Sequence, residues 1–304
     1  MAPGRKTIAG AAGLLLLGLA GCGSNDTDPR TKVVCTTGMV ADFVRNIGGV
    51  RVRVTQLMGE GVDPHRYKAS IGDVHKLNGA DIVFYSGLHL EGKMGDIFER
   101  TAARRPTYAV AEGIDTKYRL QDEQRATDPH LWFDVSLWSQ GASVVRDALM
   151  KFDPANASEY KARADAYQAE LAKLHEYARA QLALIPKDRR VLVTAHDAFQ
   201  YFGRAYDIEV KGIQGISTET EAGLKDINDL VEFIVQRKVK AVFVETSVNE
   251  RNMRALLEGC QAKGHQVVIG GELFSDAMGK DGTPEGTYVG MVRHNVDTIV
   301  KALK

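Results

Sequence analysis

The sequence predicts an α/β protein: two similar βα lobes with parallel sheets, joined by one long helix. Three observations predict it. Short apolar runs ending in Gly or polar residues alternate with helix-period stretches. That pattern occurs twice, with four runs before residue 115 and four after residue 189. Between the halves lies a long segment rich in Ala, Glu, Lys, Leu and Gln.

In chain order, the N-terminal 21 residues come first and are set apart from the fold. Arg5 and Lys6 form a positive start, residues 8–20 an apolar stretch, and Leu19-Ala20-Gly21-Cys22 closes it. The stretch is short for a membrane span and reads as an export signal. The small residues before Cys22 resemble a bacterial lipobox, so Cys22 is the expected lipidated first residue of the mature chain. Residues 22–31 then form a polar tether. The first lobe is expected over 32–152, with strands at 32–36, 52–57, 81–85 and 107–111 and a helix at 40–47. Asp153-Pro154 signals a helix start. From there to Ile185 the chain has no Gly and no further Pro, and Pro186 ends it. A continuous helix over 153–186 would span about 48 Å at 1.5 Å per residue. The second lobe is expected over 187–304, with strands at 190–194, 208–213, 240–245 and 266–269 and a helix at 226–237. A long helix resists wide hinge motion, so the lobes should meet at a cleft of nearly constant shape.

Composition narrows the function. Of 304 residues, 44% are hydrophobic and 26% charged, which is globular composition rather than disorder. Lys+Arg and Asp+Glu both number 39, so the basic footprint of a nucleic-acid binder is missing. Cys35 and Cys260 lack metal-thiolate spacing and read as small core residues rather than a disulfide.

The histidines are 65, 75, 89, 130, 175, 196, 265 and 294. Three stand in distinctive surroundings. His65 ends Gly61-Val-Asp-Pro-His65 after the second strand. His130 lies in Asp128-Pro-His130-Leu-Trp-Phe-Asp134 at the end of the first lobe. His196 follows the first strand of the second lobe, where ligands of open α/β sheets bind. In both Asp-Pro-His turns, proline stiffens the segment presenting the imidazole. Three neutral imidazoles and a carboxylate suit a divalent cation of zinc or manganese type. Glu245, Glu272 and Asp276 are the carboxylates available from the second lobe, and spacing does not choose among them. The remaining histidines fall on helices or loops and read as bland.

From about residue 33 to 303 the chain resembles the zinc/manganese solute-binding proteins of ABC transporters, and TroA-type members most of all. The resemblance rests on Gly61-Val-Asp-Pro-His65-Arg-Tyr, Asp128-Pro-His130-Leu-Trp-Phe-Asp, Thr194-Ala-His196-Asp-Ala-Phe-Gln-Tyr-Phe, Gly212-Ile-Gln-Gly-Ile-Ser-Thr and Gly270-Gly-Glu-Leu-Phe-Ser-Asp276. It implies His65 and His130 as ligands from the first lobe, and His196 and Asp276 from the second. Asp276 is selected by its place in the Phe-Ser-Asp motif, with Glu245 in reserve as a supporting carboxylate. Asp63, Asp128 and Asp197, beside the ligands, are candidate partners of the imidazoles but are expected chiefly as turn formers.

The resemblance further implies capture of Zn²⁺ or Mn²⁺ as cargo by an exported, lipid-anchored monomer. Delivery would be to a membrane permease powered by a separate ATPase. Because the long helix resists wide opening, release is expected through small lobe movements and loop rearrangement. The short, histidine-free segment 115–127 departs from the zinc-specific pattern. His196, where manganese-specific relatives usually have Glu, departs from the manganese-specific one. Nitrogen-rich sites favour zinc intrinsically. The rival classes are a metallohydrolase and a surface adhesin. Four protein ligands leave no open position for a catalytic water, and no His-Glu-x-x-His helix is present. Gly87-Leu-His-Leu-Glu-Gly-Lys93-Met94 approaches a phosphate-binding loop, but Met94 stands where Ser or Thr would ligate magnesium. No ATPase or other enzymatic activity is expected of this chain.

Overall fold

The computed structural model describes residues 1–2, 28–122 and 125–304. Cys22, nearly all of the expected export signal and the tether up to residue 27 lie outside the described residues.

In the first lobe, β1 (Thr31–Cys35), β2 (Val52–Gln56), β3 (Ile82–Tyr85) and β4 (Thr107–Ala109) form a parallel sheet in the order β2-β1-β3-β4. Val33 pairs with Val54 on one side and Ile82 on the other. Parallel central strands are covered on both faces, which is why Val33-Val34-Cys35 and Ile82-Val83-Phe84 are apolar without alternation. The helices are α1 (Gly38–Gly48), α2 (Ile71–Gly79), α3 (Gly95–Ala102), α4 (Val135–Trp138) and α5 (Ala142–Phe152). Phe43 of α1 stacks on Trp138 at 5.0 Å and meets Tyr167 edge-on at 5.9 Å.

The segment joining the lobes is α6 (Ala157–Leu182), 26 residues and about 39 Å long. It is shorter than the expected continuous helix. Pro154–Asn156 form a separate 3-10 turn, and Asp153 gives its carboxylate to Asn156 and Tyr160 rather than to a backbone cap. At the other end Pro186 restricts Ile185, and the last turn loosens before it. Tyr160, Ala164, Tyr167, Leu171, Leu174, Ala178 and Leu182 are buried at steps of three and four, one stripe of an amphipathic helix. That stripe packs on α1 and α5 and on the final helix, α10 (Tyr288–Leu303). The bridge is therefore part of a core shared by both lobes rather than a free rod.

The second lobe repeats the plan with β5 (Val191–His196), α7 (Gln200–Tyr206), β6 (Glu209–Gln214), α8 (Leu224–Arg237), β7 (Ala241–Glu245), α9 (Arg251–Ala262) and β8 (Val268–Leu273). β5 pairs with β6 and β7 with β8, all parallel, and β5 lies beside β7. β5 and β7 share no hydrogen-bonded ladder, so this lobe holds two two-stranded parallel sheets side by side, where the first lobe has one of four strands; the spatial order β6-β5-β7-β8 is nonetheless the same. The two cysteines among the described residues are free and buried in different clusters, Cys35 in the shared core and Cys260 on the inner face of α9 in the second-lobe cluster. No helix among the described residues is long and apolar enough to cross a membrane.

Candidate metal centre

Each lobe delivers two side chains to one point at the carboxyl ends of its strands. His65 sits in the loop after β2, where Asp63 Oδ1 accepts its backbone N–H at 2.9 Å. His130 sits beyond β4, and Asp128 Oδ1 serves it twice, accepting the backbone N–H at 2.9 Å and facing ring Nδ1 at 2.7 Å. His196 is the last residue of β5. Glu245, last in the neighbouring β7, accepts its N–H at 2.9 Å and faces Nδ1 at 2.5 Å. An ionised carboxylate only accepts, so in both pairs Nδ1 carries a proton, and it is Nε2 that loses its proton to turn a bare nitrogen inward. Asp276 follows β8 and is buried. The chain bends past β6 only because residue 212 is glycine: a Cβ there would lie 2.5 Å from the Asp197 nitrogen.

The donor atoms converge. Nε2 of His65, His130 and His196 lie 3.4, 3.4 and 3.3 Å from the nearer Asp276 oxygen. The Nε2 atoms of His65 and His130 are 3.3 Å apart. One atom from each of the four residues falls within 4.8 Å of all the others. Bonds of about 2.0–2.1 Å to a tetrahedral ion give donor-to-donor edges of about 3.3–3.4 Å. His196 Nε2 and both Asp276 oxygens are buried without a hydrogen-bond partner. Orphaning such groups is costly unless something else binds them, and a cation at the centre would satisfy all of them.

The electrostatics fit the same reading. For His65, burial and the two neighbouring imidazoles outweigh Asp276 and lower the pKa to about 3. Burial pulls His130 down too, but Asp128 and Asp276 outweigh it and hold the group at about 9. Burial is likewise outweighed at His196, which Glu245 and Asp276 raise well above the usual histidine range. Burial would raise Asp276, yet His196 and His130 hold it well below the usual carboxylate range. Three imidazoles thus surround a carboxylate kept ionised.

All four expected residues meet here. Of the competing carboxylates, Glu272 is exposed on β8, and Glu245 supports His196 as the reserve role anticipated. Asp63 is the turn former expected, Asp128 is both turn former and ring partner, and Asp197 holds Gln200 instead. His75 and His89 are exposed, while His175, His265 and His294 bond to Tyr206, the Val239 carbonyl and the Glu272 carbonyl. In the phosphate-loop look-alike, the N–H groups of Ser86 and Gly87 are already taken by the Glu91 carboxylate.

Sequence reasoning missed the fastenings around the site. Trp132 Nε1 donates to the Ser275 carbonyl at 3.1 Å, Tyr288 donates to the Trp132 carbonyl at 2.5 Å, and Tyr201 to the Asp128 carbonyl at 3.0 Å. They tie the His130 segment of the first lobe to the second. Trp132 stood in a quoted motif, but nothing in the sequence named its partner. A cleft of about 2030 Å³ between the lobes leads to the centre, and His65 is the member of the cluster that lines it.

Comparison with known proteins gives the family and the fold. Residues 33–302 match the family model described as zinc-uptake complex component A, periplasmic. The chain is 52% identical over 283 residues to the zinc-binding protein TroA of Treponema pallidum, covering 92% of each chain. It is 47% identical over 305 residues to the manganese-binding lipoprotein MntA of Bacillus subtilis, covering 99% of this chain and 100% of that one. The solved structure of the periplasmic zinc-binding protein TroA superposes with a TM-score of 0.89, covering 90% of this chain and 99% of that one. The chain therefore belongs to the zinc-uptake component A family.

Proposed function

We propose that this protein captures a divalent transition metal, Zn²⁺ or Mn²⁺, outside the cytoplasm and delivers it to an ABC-type importer. The observation that carries the reading is the convergence of three inward Nε2 atoms on a buried, unpartnered carboxylate. His65, His130, His196 and Asp276 are the ligands, with Asp128 and Glu245 orienting two of the rings. The lobe over 32–152 supplies the first two, the lobe over 187–304 the others, and 153–186 bridges them. A shell filled by protein donors suits binding and transfer rather than hydrolysis, which needs an open position for water. The names of the relatives, one zinc-binding and one manganese-binding, support both cargoes. A lipid on Cys22 would hold the chain at the membrane as a monomer, in reach of the permease and ATPase subunits. The lipoprotein name of the Bacillus relative supports that anchor.

The test is a competitive titration of the chelator-stripped chain from residue 23 onward with Zn²⁺ and Mn²⁺, repeated on His196→Ala and Asp276→Ala. Binding of one ion per chain, lost in both variants, is expected. No stoichiometric binding of either ion would overturn the reading.

A further inference from the structure

One loop of the second lobe grips the first lobe at the mouth of the site. Residues 215–222, between β6 and α8, form part of the cleft wall. Thr218 is buried and donates its hydroxyl to Asp63 Oδ2 at 2.5 Å. Beside it, Glu219 pairs with Lys93 at 2.8 Å and Glu221 with Arg66 at 3.4 Å. Three first-lobe residues from two separate segments thus hold three residues of one loop.

The inner contact differs from the other two. Asp63 spends its second oxygen on the backbone N–H of His65, so a single carboxylate joins a metal-site residue to the opposite lobe. The other three members of the cluster are held elsewhere. His130 is fastened through Asp128 and Trp132, His196 by Glu245 at the end of β7, and Asp276 follows Ser275, whose carbonyl accepts from Trp132. His65 alone of the four both lines the open cleft and depends on the loop.

Resting on the metal-capture reading above, we infer that residues 215–222 are a strap across the cleft and that the Thr218–Asp63 bond is its latch, setting the rate at which metal leaves. Asp63 acts as a positioning residue. With the latch closed, its carboxylate holds the His65 backbone where the imidazole meets the other donors. With the latch open, the His65 loop loses its tie to the second lobe while the other three donors keep theirs. The two ion pairs are solvent-exposed and guide the strap into place, whereas the buried hydroxyl–carboxylate bond resists opening.

The experiment is stopped-flow metal release from the zinc-loaded chain into excess chelator, for the wild type, Thr218→Val and Thr218→Ser. Hydrogen exchange of residues 215–222 is followed in the same samples. Thr218→Val should release metal about 10- to 100-fold faster, the range for losing a buried hydrogen bond to a charged group. Its strap amides should exchange faster in the zinc-loaded form. Thr218→Ser keeps the hydroxyl and should restore both to near wild type, which a purely packing role would not do. Should Thr218→Val fail to fold, the exposed pair Glu219→Gln/Glu221→Gln should still quicken strap exchange and release at low salt. Release from Thr218→Val at the wild-type rate, or equally fast release from Thr218→Ser, would overturn the latch. A wild-type chain that takes up no zinc would instead overturn the metal-capture reading itself.

Discussion

Glu245 holds His196 at two points, the backbone N–H at 2.9 Å and ring Nδ1 at 2.5 Å, so one carboxylate sets both the position and the tautomer of the imidazole. The two residues end adjacent strands, which makes the pair part of the sheet rather than of a loop. Asp128 does the same for His130 from two residues away.

Glu245→Gln should therefore weaken metal binding without abolishing it. The amide can orient the ring either way and no longer stabilises the charge on a bound imidazole. Losses of about 10- to 100-fold in affinity are usual for such partners. Chelator competition on the purified variant measures it, and the one-to-one stoichiometry should survive.

Metal binding should release protons at neutral pH. In the metal-free protein His130 titrates at about 9, because Asp128 and Asp276 outweigh burial, and His196 is raised in the same sense. Both are protonated at pH 7 and must lose that proton from Nε2 to bind an ion, whereas His65, at about 3, is already neutral. Affinity should rise with pH up to about 9, and calorimetry in buffers of different ionisation enthalpy should show the released protons. The same shift bears on folding. A raised histidine stabilises the metal-free protein fully below about 6.5, and that contribution is lost as pH climbs through about 9. Metal-free melting temperatures should fall across that window.

Leu171 lies fully buried on α6, within the core shared by both lobes. Leu171→Ala should cost about 2–5 kcal/mol. Because the bridge is packed on both lobes, denaturant unfolding should remain one transition, with both lobes destabilised together. Two separated transitions would contradict the shared core.

Glu219, Glu221 and Asp229 are paired with Lys93, Arg66 and Lys225, but acidic side chains still outnumber basic ones along the cleft, with Glu99, Glu112, Asp128 and Asp226 set against Lys211 and Arg125. Such a wall concentrates cations by long-range attraction, which salt screens. The association rate of Zn²⁺ should drop about tenfold or more from low to physiological salt. Dissociation should change much less.

Much of this was legible in the sequence, for physical reasons. All eight expected strands form; β1, β3, β5 and β7 were the plainest, because strands buried on both faces read as short unbroken apolar runs, whereas β2, β4, β6 and β8 are only partly buried. His65, His130 and His196 stood out because strand ends and Asp-Pro turns are where α/β folds present ligands. The length of α6 was overread, since composition does not show that Pro154–Asn156 wind as a separate 3-10 turn. The Glu245–His196 pair was illegible because it depends on β5 lying beside β7, across 49 residues of chain. Likewise, only the register that turns Glu272 outward and buries Asp276 separates those two carboxylates without appeal to resemblance. Thr218 lay in a quoted motif, yet its partner Asp63 is 155 residues away in the other lobe.

The most direct test of the central claim is a crystal structure of the zinc-loaded protein with anomalous data at the zinc edge. The account predicts one strong peak about 2.0–2.2 Å from Nε2 of His65, His130 and His196 and from a carboxylate oxygen of Asp276. A fully loaded protein whose peak lies elsewhere, or lacks any of these four residues as a ligand, would contradict it.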